Sequence, residues 1–404
     1  MSLSDAGYTN EWILQMLNDH NPRFVEICAK NKVAKIRSEH ISGGKGFLSL
    51  VFRVFIDFEN SLSYSFIMKV PSLKTMDDAC DKTEMDPIEK ENFHNALVHS
   101  HNVECDMYEL LNEIRDFPLA EVYYIQHNTA NSNGLLVMED LCDRTESLAL
   151  NISPTSAHCF NIARHVAQFQ DYVNSLPEEK WRNKFSNRAN FHLDRGNVDQ
   201  WEKYFKKLAE IEPKFNKPGE SMLGLRYMDF CQYALLKLPE KYNSITLWHG
   251  DMWVNNIRMK INNDNSISSE IAAILDWQIV CEGSPLFDIA RFLIYCVDAE
   301  IRREIEYQVV DCYYDKLTEM QQDRQSSMSF TREQAHEMYD LASIHQTYEF
   351  VYFSYFICAQ DREHGDSIHE ARAAKLLLRC LFAASDSARR LETRSLTTKF
   401  KNNN

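Results

Sequence analysis

The sequence lacks a long apolar run, because no segment approaches the roughly 18 consecutive apolar residues that a membrane-spanning helix needs. It also lacks an excess of basic residues, since its formal net charge is -15. A chain this acidic is poorly suited to non-specific binding of nucleic acids or anionic membranes. We therefore expect neither membrane insertion nor a nucleic-acid partner.

Cysteines at the spacing of a metal site or a disulfide framework are missing as well. The eleven cysteines include no C-x-x-C pair, and their number is odd, which argues against both a zinc site and a set of disulfides. The N-terminal stretch has neither the basic region nor the apolar region of a signal peptide. These features predict reduced thiols in a cytoplasmic protein.

The patterns that are present indicate two unlike lobes in an α+β fold. Residues 1–40 predict helices, and residues 40–141 predict four strands of an antiparallel sheet with one long helix, Pro87–Phe117. Residues 142–395 are mainly helical, and residues 396–404 predict a disordered polar tail. We expect a small β-rich N-terminal lobe, a large helical C-terminal lobe and a ligand cleft between them.

Within the C-terminal lobe, helical spacing of apolar residues predicts five main helices, and three apolar runs are too short for helices and predict small strands. The predicted helices are Ile152–Leu176, Val198–Ile211, Ser221–Leu238, Leu286–Gln322 and Thr331–Leu391, and the predicted strands are Ile245–Trp248, Ile257–Ile261 and Ile271–Leu275.

A glycine-rich stretch, Ser42–Ser49, precedes the first predicted strand. Gly44 and Gly46 would let backbone N–H groups approach a phosphate with no side chain in the way. The same pattern also suits an ordinary hairpin turn, so this stretch leaves both interpretations open.

Lys69 stands in the apolar run "FIMKV" at the end of the second predicted strand. A buried ammonium is costly unless it meets an opposite charge, and a phosphate together with Glu104 of the following helix would supply that charge. The alternative is a lysine on an edge strand, with its ammonium in water.

The stretch "LWHGDMWVNNIRMK" places Asp251 five positions before Asn256, so one turn can direct both side chains to the same place. A carboxylate can orient a hydroxyl or accept its proton, and an amide oxygen suits Mg²⁺. Asp276 ends the apolar run "AAILD" and would complete a magnesium site, unless it only caps the strand. We expect His249 and Asp288 to hold this loop.

Taken in order, these features are a glycine-rich loop, a strand lysine, a helix glutamate, H-x-D-x-x-x-x-N and a strand-end aspartate. This order is the protein-kinase-like arrangement for phosphoryl transfer from ATP. Glu139 and Leu141, in "VMEDL" at the end of the fourth strand, then fall where backbone groups would meet the adenine edge.

Three stretches, "LWHGDMWVNNI", "AAILDWQIVCEGSPLFDIARFL" and "LLVMEDL", resemble the choline-kinase-like (CHK-kinase-like), ecdysteroid-kinase-like family. That family is related to aminoglycoside phosphotransferases within the protein-kinase-like superfamily, and the resemblance spans about residues 8–395. It implies that Asp251 is the catalytic base, that Asn256 and Asp276 bind Mg²⁺, and that Lys69 contacts the ATP phosphates and pairs with Glu104. The phosphate loop departs from the protein-kinase pattern G-x-G-x-x-G, because Ser49 stands in place of the third glycine.

The acceptor is expected to be a small molecule with a hydroxyl group. Only Gln278–Pro285 separates Asp276 from the next predicted helix, whereas a protein kinase needs a longer activation segment ending in A-P-E. The helix Val198–Ile211 and the aromatic run Tyr348–Phe356 are candidates to enclose a sterol, a glycoside or a similar alcohol, although the aromatic run suits a plain core helix equally well.

The sequence favours an ATP- and Mg²⁺-dependent kinase over two other functions. A nucleotide-binding pseudokinase that acts through protein partners would not need the intact set Lys69, Asp251, Asn256 and Asp276. A divalent-metal hydrolase built on His249, Asp251 and Asp276 would leave the glycine-rich loop and Lys69 without a function.

Overall fold

The computed structural model describes residues 7–41, 49–71, 87–185, 198–361 and 367–401. The chain divides into two compact units. The N-terminal unit is drawn from residues 1–113, 119–144 and 276–278, and the C-terminal unit from residues 114–118, 145–275 and 279–404. The small β-rich unit and the large helical unit confirm the predicted α+β class.

A five-stranded antiparallel sheet in the order β1-β2-β3-β5-β4 forms the centre of the N-terminal unit. The strands are β1 Val33–His40, β2 Ser49–Phe58, β3 Ser63–Pro71, β4 Val122–Gln126 and β5 Leu135–Glu139. The helices are α1 Asn10–His20, α2 Pro22–Cys28 and α3 Pro87–Leu110.

Alternation of side chains along β2 explains which face of this sheet is buried. Phe52, Val54 and Ile56 are fully buried, and the residues between them are more exposed, as expected for side chains that point to opposite faces of a strand. Ile13 and Leu17 of α1 belong to the same apolar core. Helix α1 therefore covers the buried face of the sheet.

Two predictions in the N-terminal region are corrected. Residues 33–40 form β1 instead of a helix, because the segment pairs along its length with β2, for example Ile36 with Ile56. The long helix α3 ends at Leu110 instead of Phe117. It could not have continued to Phe117, because Asp116 takes a positive φ of 54° and Pro118 follows.

The C-terminal unit contains two small antiparallel sheets among helices. The strands are β6 Thr145–Glu146, β7 Thr246–Trp248, β8 Ile257–Ile261, β9 Ile267–Ile274 and β10 Cys281–Gly283. The helices are α4 Ser156–Ser175, α5 Val198–Ile211, α6 Asn216–Leu223, α7 Tyr227–Gln232, α8 Leu238–Lys241, α9 Phe287–Cys296, α10 Ala299–Asp323, α11 Arg332–Asp361, α12 Ser367–Thr393 and α13 Leu396–Lys399.

Several predicted helices are divided in the structure. The predicted helix 221–238 breaks after α6 at Gly224 and continues through α7 into a π-helical turn, Tyr233–Lys237. The predicted helix 286–322 breaks between α9 and α10, where Asp298 leaves the helical conformation and accepts hydrogen bonds from Arg379. The predicted helix 331–391 consists of α11 and α12.

The predicted disordered tail is also corrected for residues 396–401. Leu396–Lys399 form α13, and the buried Phe400 packs against Phe230 and Tyr233. Lys401 pairs with Leu225. The aromatic contacts explain why a polar sequence is held here.

Across the described ranges, no helix combines the length and the apolar character that crossing a membrane requires.

Candidate functional site

Lys69 of the N-terminal unit lies between two carboxylates. It occupies β3, flanked in the sheet by Val51 and Leu136. Its Nζ donates to Glu104 Oε2 at 2.7 Å and to Asp276 Oδ1 at 2.5 Å. The structure therefore brings together the strand lysine and the helix glutamate singled out in the sequence, and it adds Asp276 to the pair.

Burial and the charge of the ion-pair partner shift the pKa values of Lys69 and Glu104 in opposite directions. Burial alone would lower the pKa of Lys69, but Asp276 and Glu104 outweigh it and the pKa is raised. Burial raises the pKa of the Glu104 carboxyl, and Lys69 offsets this only in part. The lysine is therefore held as an ammonium.

The second group belongs to the C-terminal unit and centres on Asp251. A short 3₁₀ turn, Val254–Asn256, brings the Asn256 amide back to the aspartate. Asn256 Nδ2 donates to both the backbone oxygen and Oδ2 of Asp251, each at 3.0 Å. Asp251 Oδ1 accepts a hydrogen bond from Arg291 Nη2 at 2.5 Å.

Asp288 holds the backbone that precedes Asp251. Its fully buried carboxylate accepts the N–H of His249 at 2.7 Å and the N–H of Gly250 at 3.0 Å. Burial raises the pKa of Asp288, and these donors offset part of the effect. The predicted support of the loop by Asp288 is thus a pair of direct hydrogen bonds.

His249 connects this loop to the end of β9. Its Nδ1 accepts the N–H of Asp251 at 3.2 Å, so its Nε2 carries the proton and donates to the Leu275 carbonyl at 3.0 Å. The Leu275 N–H in turn donates to the Asn256 carbonyl at 2.8 Å. Asp276 is the next residue in the chain and adopts a positive φ of 69°, a conformation uncommon outside glycine.

The same turn requires glycine at position 250, and we expect Gly250→Ala to destabilise the protein. Gly250 has a φ of +87°, and an added Cβ would meet the backbone oxygen of Ile279 well inside contact distance. We expect the substitution to lower the free energy of unfolding by about 2 kcal/mol, measured by urea denaturation. Gly224→Ala is the matched control, because its Cβ would meet its nearest neighbours at 3.5 Å. Equal stability of the two variants would contradict the strain at Gly250.

The remaining predicted nucleotide contacts are placed only in part. Gly44 and Gly46 lie outside the described residues, and the buried Ser49 begins β2. Glu139 ends β5, where its N–H donates to the Glu121 carbonyl at 2.8 Å. Leu141 is buried and its carbonyl accepts the N–H of Arg144 at 3.3 Å.

Arg291 is a site residue that was not predicted from the sequence. It lies on α9, a mostly apolar helix with the sequence FDIARFLIYC. An arginine in such a helix, three positions after Asp288, was the signal that could have identified it, because a charged residue on a buried helix face needs a partner.

The sequence matches the family DUF1679, described as "Uncharacterized oxidoreductase dhs-27", over residues 28–376. It is 26% identical over 323 residues to the Uncharacterized oxidoreductase dhs-27 of Caenorhabditis elegans, a match that covers 77% of this chain and 37% of that protein. The chain therefore matches little more than a third of the length of this curated relative.

Solved phosphotransferases are also similar in structure. For a putative aminoglycoside phosphotransferase from Ralstonia eutropha JMP134, the TM-score is 0.49 at 11% identity, with 94% of this chain and 98% of that chain covered. For spectinomycin phosphotransferase APH(9)-Ia, in complex with ADP and spectinomycin, the TM-score is 0.46 at 11% identity, with 95% and 99% covered.

Because the DUF1679 match spans most of the sequence, the chain belongs to this family, which is ecdysteroid-kinase-like and CHK-kinase-like as the motif resemblance predicted.

Proposed function

We propose that the protein is an ATP- and Mg²⁺-dependent phosphotransferase that moves the γ-phosphoryl group to a hydroxyl of a small molecule. The observation that carries this proposal is the buried ion pair between Lys69 and Glu104 at 2.7 Å. A strand lysine held by a helix glutamate is the device that protein kinases use to position ATP phosphates. Asp251 and Asn256 are also five positions apart, as are the catalytic aspartate and the metal-binding asparagine of protein kinases.

The oxygen donors of the proposed metal ligands fit Mg²⁺. Both hydrogen bonds from Asn256 Nδ2 go to Asp251, so Oδ1 is the amide atom left to bind a cation. Asp276 contributes a carboxylate whose side chain is 26% exposed. Hard oxygen ligands of this kind are those that Mg²⁺ prefers, and the ion would neutralise charge on the transferred phosphoryl group.

The chain's own side chains would divide the remaining work. Lys69 would bind phosphate oxygens through its ammonium. Asp251 would accept a hydrogen bond from the acceptor hydroxyl and orient it toward the γ-phosphorus. As the new P–O bond forms, the bond from the γ-phosphorus to the β,γ-bridging oxygen would break, ADP would leave with that oxygen, and Asp251 would take up the hydroxyl proton. Gly44, Gly46 and Ser49 would contact the phosphates, while the backbone of Glu139 and Leu141 would meet the adenine ring.

Aromatic side chains of the C-terminal unit support a small acceptor. The Tyr204 ring on α5 lies 5.1 Å from the rings of both Tyr352 and Tyr355 on α11. Trp253, two positions after Asp251, lies 5.8 Å from Phe353 of the same helix. We propose that these faces of α5 and α11 enclose a sterol, a glycoside, an amino alcohol or a xenobiotic alcohol, and that the enzyme works in the cytoplasm.

The curated relative that is named an oxidoreductase extends well beyond the 37% of its length that matches this chain. Dinucleotide-dependent oxidoreductases of the Rossmann type bind their cofactor on a largely parallel sheet. In the ranges that the structure describes, every strand pairing is antiparallel. The described part of the matched region therefore offers no support for that binding mode.

The proposal is tested by incubating the full chain with ATP, MgCl₂ and a panel of sterols, glycosides, amino alcohols and xenobiotic alcohols. We expect one class to gain the mass of a single phosphoryl group, and we expect EDTA to abolish the product. Nucleotide binding without any phosphorylated product or ADP formation would favour the alternative, a pseudokinase that acts through protein partners. Metal-dependent hydrolysis of a substrate without ATP would instead favour a hydrolase.

A further inference from the structure

Arg291 contacts Asp251 and is itself held by other side chains of the C-terminal unit. Its guanidinium is only 13% exposed, and its Nη2 donates to Asp251 Oδ1 at 2.5 Å. Its Nη1 donates to Gln346 Oε1 at 3.2 Å, and its Cζ lies 4.4 Å from the centroid of the Tyr295 ring. Side chains of α9 and α11 therefore fix the position of the guanidinium that contacts Asp251.

The two oxygens of Asp251 are held by different partners. Arg291 holds Oδ1 and Asn256 holds Oδ2 at 3.0 Å. A carboxylate that is hydrogen-bonded at one oxygen can still rotate about its Cβ–Cγ bond, whereas hydrogen bonds at both oxygens fix the orientation of its plane. Orientation of a reacting group to within a fraction of an ångström is worth large factors in rate.

Helix α9 supplies both supports of the loop. Asp288 receives the N–H groups of His249 and Gly250, and Arg291 donates to the side chain of Asp251. Residues three positions apart lie on the same face of a helix. One face of α9 therefore holds the loop backbone through a carboxylate and the loop side chain through a guanidinium.

We propose that Arg291 is a positioning residue for Asp251, fixing the carboxylate plane in which the acceptor hydroxyl is oriented. This inference rests on the proposed phosphotransferase function. The competing explanation is that Arg291 only neutralises a buried charge and packs on Tyr295. The two explanations differ in what the arginine controls, because a structural arginine affects stability and a positioning arginine affects the turnover number.

The test measures hydrolysis of MgATP by the full chain, with water as the acceptor, so that no unidentified acceptor is needed. We expect Arg291→Ala to lower kcat about 100-fold while the KM for MgATP changes by less than about threefold. Arg291→Lys should have a kcat between those of Arg291→Ala and the wild type. The lysine ammonium can reach Asp251, but it lacks the forked guanidinium that also donates to Gln346. Millimolar guanidinium should restore kcat of Arg291→Ala by about tenfold.

Arg324→Ala is the matched control. Arg324 also pairs with an aspartate of the C-terminal unit, Asp171 of α4, and donates to its carbonyl at 3.1 Å. We expect this variant to keep the wild-type kcat and to show no response to guanidinium. Thermal unfolding of every variant identifies those that fail to fold.

The outcomes separate the inference from the function on which it rests. If wild-type protein turns over MgATP and Arg291→Ala keeps the wild-type kcat, the positioning function is wrong and the phosphotransferase proposal survives. The positioning function is also wrong if Arg291→Ala loses activity that neither lysine nor guanidinium recovers. If the wild-type protein turns over ATP with neither water nor any acceptor of the panel, both proposals fail together.

Discussion

Asp251→Asn should reduce phosphoryl transfer by roughly 10³-fold, since removal of a positioned general base typically costs 10² to 10⁴. The substitution retains the size of the side chain but leaves one oxygen where two now accept hydrogen bonds, from Arg291 and Asn256. The new amide N–H₂ must therefore face a donor on one side, and the hydroxyl of the acceptor loses its carboxylate. Turnover is measured as the rate of ADP formation in the presence of the acceptor that the mass-shift panel identifies.

Nucleotide binding distinguishes this loss from unfolding. None of the contacts that the structure gives Lys69 involves Asp251, so we expect the Kd for MgADP to stay within about threefold of wild type. Asp171→Asn is the control, because Asp171 also pairs with an arginine of the C-terminal unit but has no proposed function in transfer. Wild-type turnover by Asp251→Asn would remove Asp251 from the chemistry.

The loop from His249 to Asn256 could be predicted because its geometry is local. Five positions separate Asp251 from Asn256, and one 3₁₀ turn between them closes that distance. The residue types also limit the possibilities, since a carboxylate and an amide in an apolar run each need a partner. Pattern and chemistry together therefore predicted that one turn would direct both side chains to the same place, and the structure adds the hydrogen bond between them.

The contacts of Arg291 and the second partner of Lys69 could not be predicted in this way. Arg291 reaches Asp251 across 40 positions, and Lys69 reaches Asp276 across 207 positions. Contacts at such separations depend on how whole elements pack, and periodicity within one element does not contain that information. The sequence could suggest that each charge needs a partner, but several carboxylates were available.

Tertiary pairing also explains the missed strand and the missed helix breaks. Val33–His40 forms a strand because β2 offers its edge, and pairing of this kind overrides a weak local preference. The break before α10 lies at Asp298, whose carboxylate pairs with Arg379 and Lys375 of α12. Neither partner is near in sequence, so the apolar periodicity of residues 286–322 continued through the break.

The largest effect on stability is expected at Asp386, on α12 and far in sequence from the proposed chemistry. Its carboxylate is 2% exposed and accepts hydrogen bonds from Arg302 at 2.6 Å and from Arg303 at 3.0 Å. Arg302 itself is 1% exposed. We expect Asp386→Ala to lower the free energy of unfolding by about 3 to 5 kcal/mol, because a buried guanidinium then loses its carboxylate.

The neighbouring charges limit how far the structure can adjust. Glu306 accepts from Arg302 at 3.2 Å, but it already pairs with Arg390 at 2.6 Å. It also accepts the Tyr339 hydroxyl at 2.8 Å. Loss of Asp386 removes one negative charge and so adds to the excess of positive charge in this cluster, and Arg302 is left with Glu306, a carboxylate that it shares with Arg390. The helices α10, α11 and α12 meet in this cluster, so the cost is shared by the packing of all three.

The measurement is urea denaturation at neutral pH. Burial would raise the pKa of Asp386, but Arg303 and Arg302 outweigh it, so the pKa lies below its ordinary value of 3.8. The stability that Asp386 contributes is therefore complete above that value and is lost as the pH falls through the lowered one. Glu319→Ala is the control, because Glu319 is 62% exposed and pairs with Lys316 on the same helix α10, so we expect a loss below about 0.5 kcal/mol.

Activity of Asp386→Ala separates stability from chemistry. Well below its unfolding temperature, the variant should retain the wild-type kcat, because the contacts that the structure describes for Asp386 are with Arg302, Arg303 and Arg389, and not with the side chains that hold Asp251. A fall in kcat without unfolding would show that the ion cluster controls α11, which carries Gln346 against Arg291. Equal stability of Asp386→Ala and Glu319→Ala would show instead that Glu306 compensates for the lost carboxylate, contrary to the expected excess of positive charge.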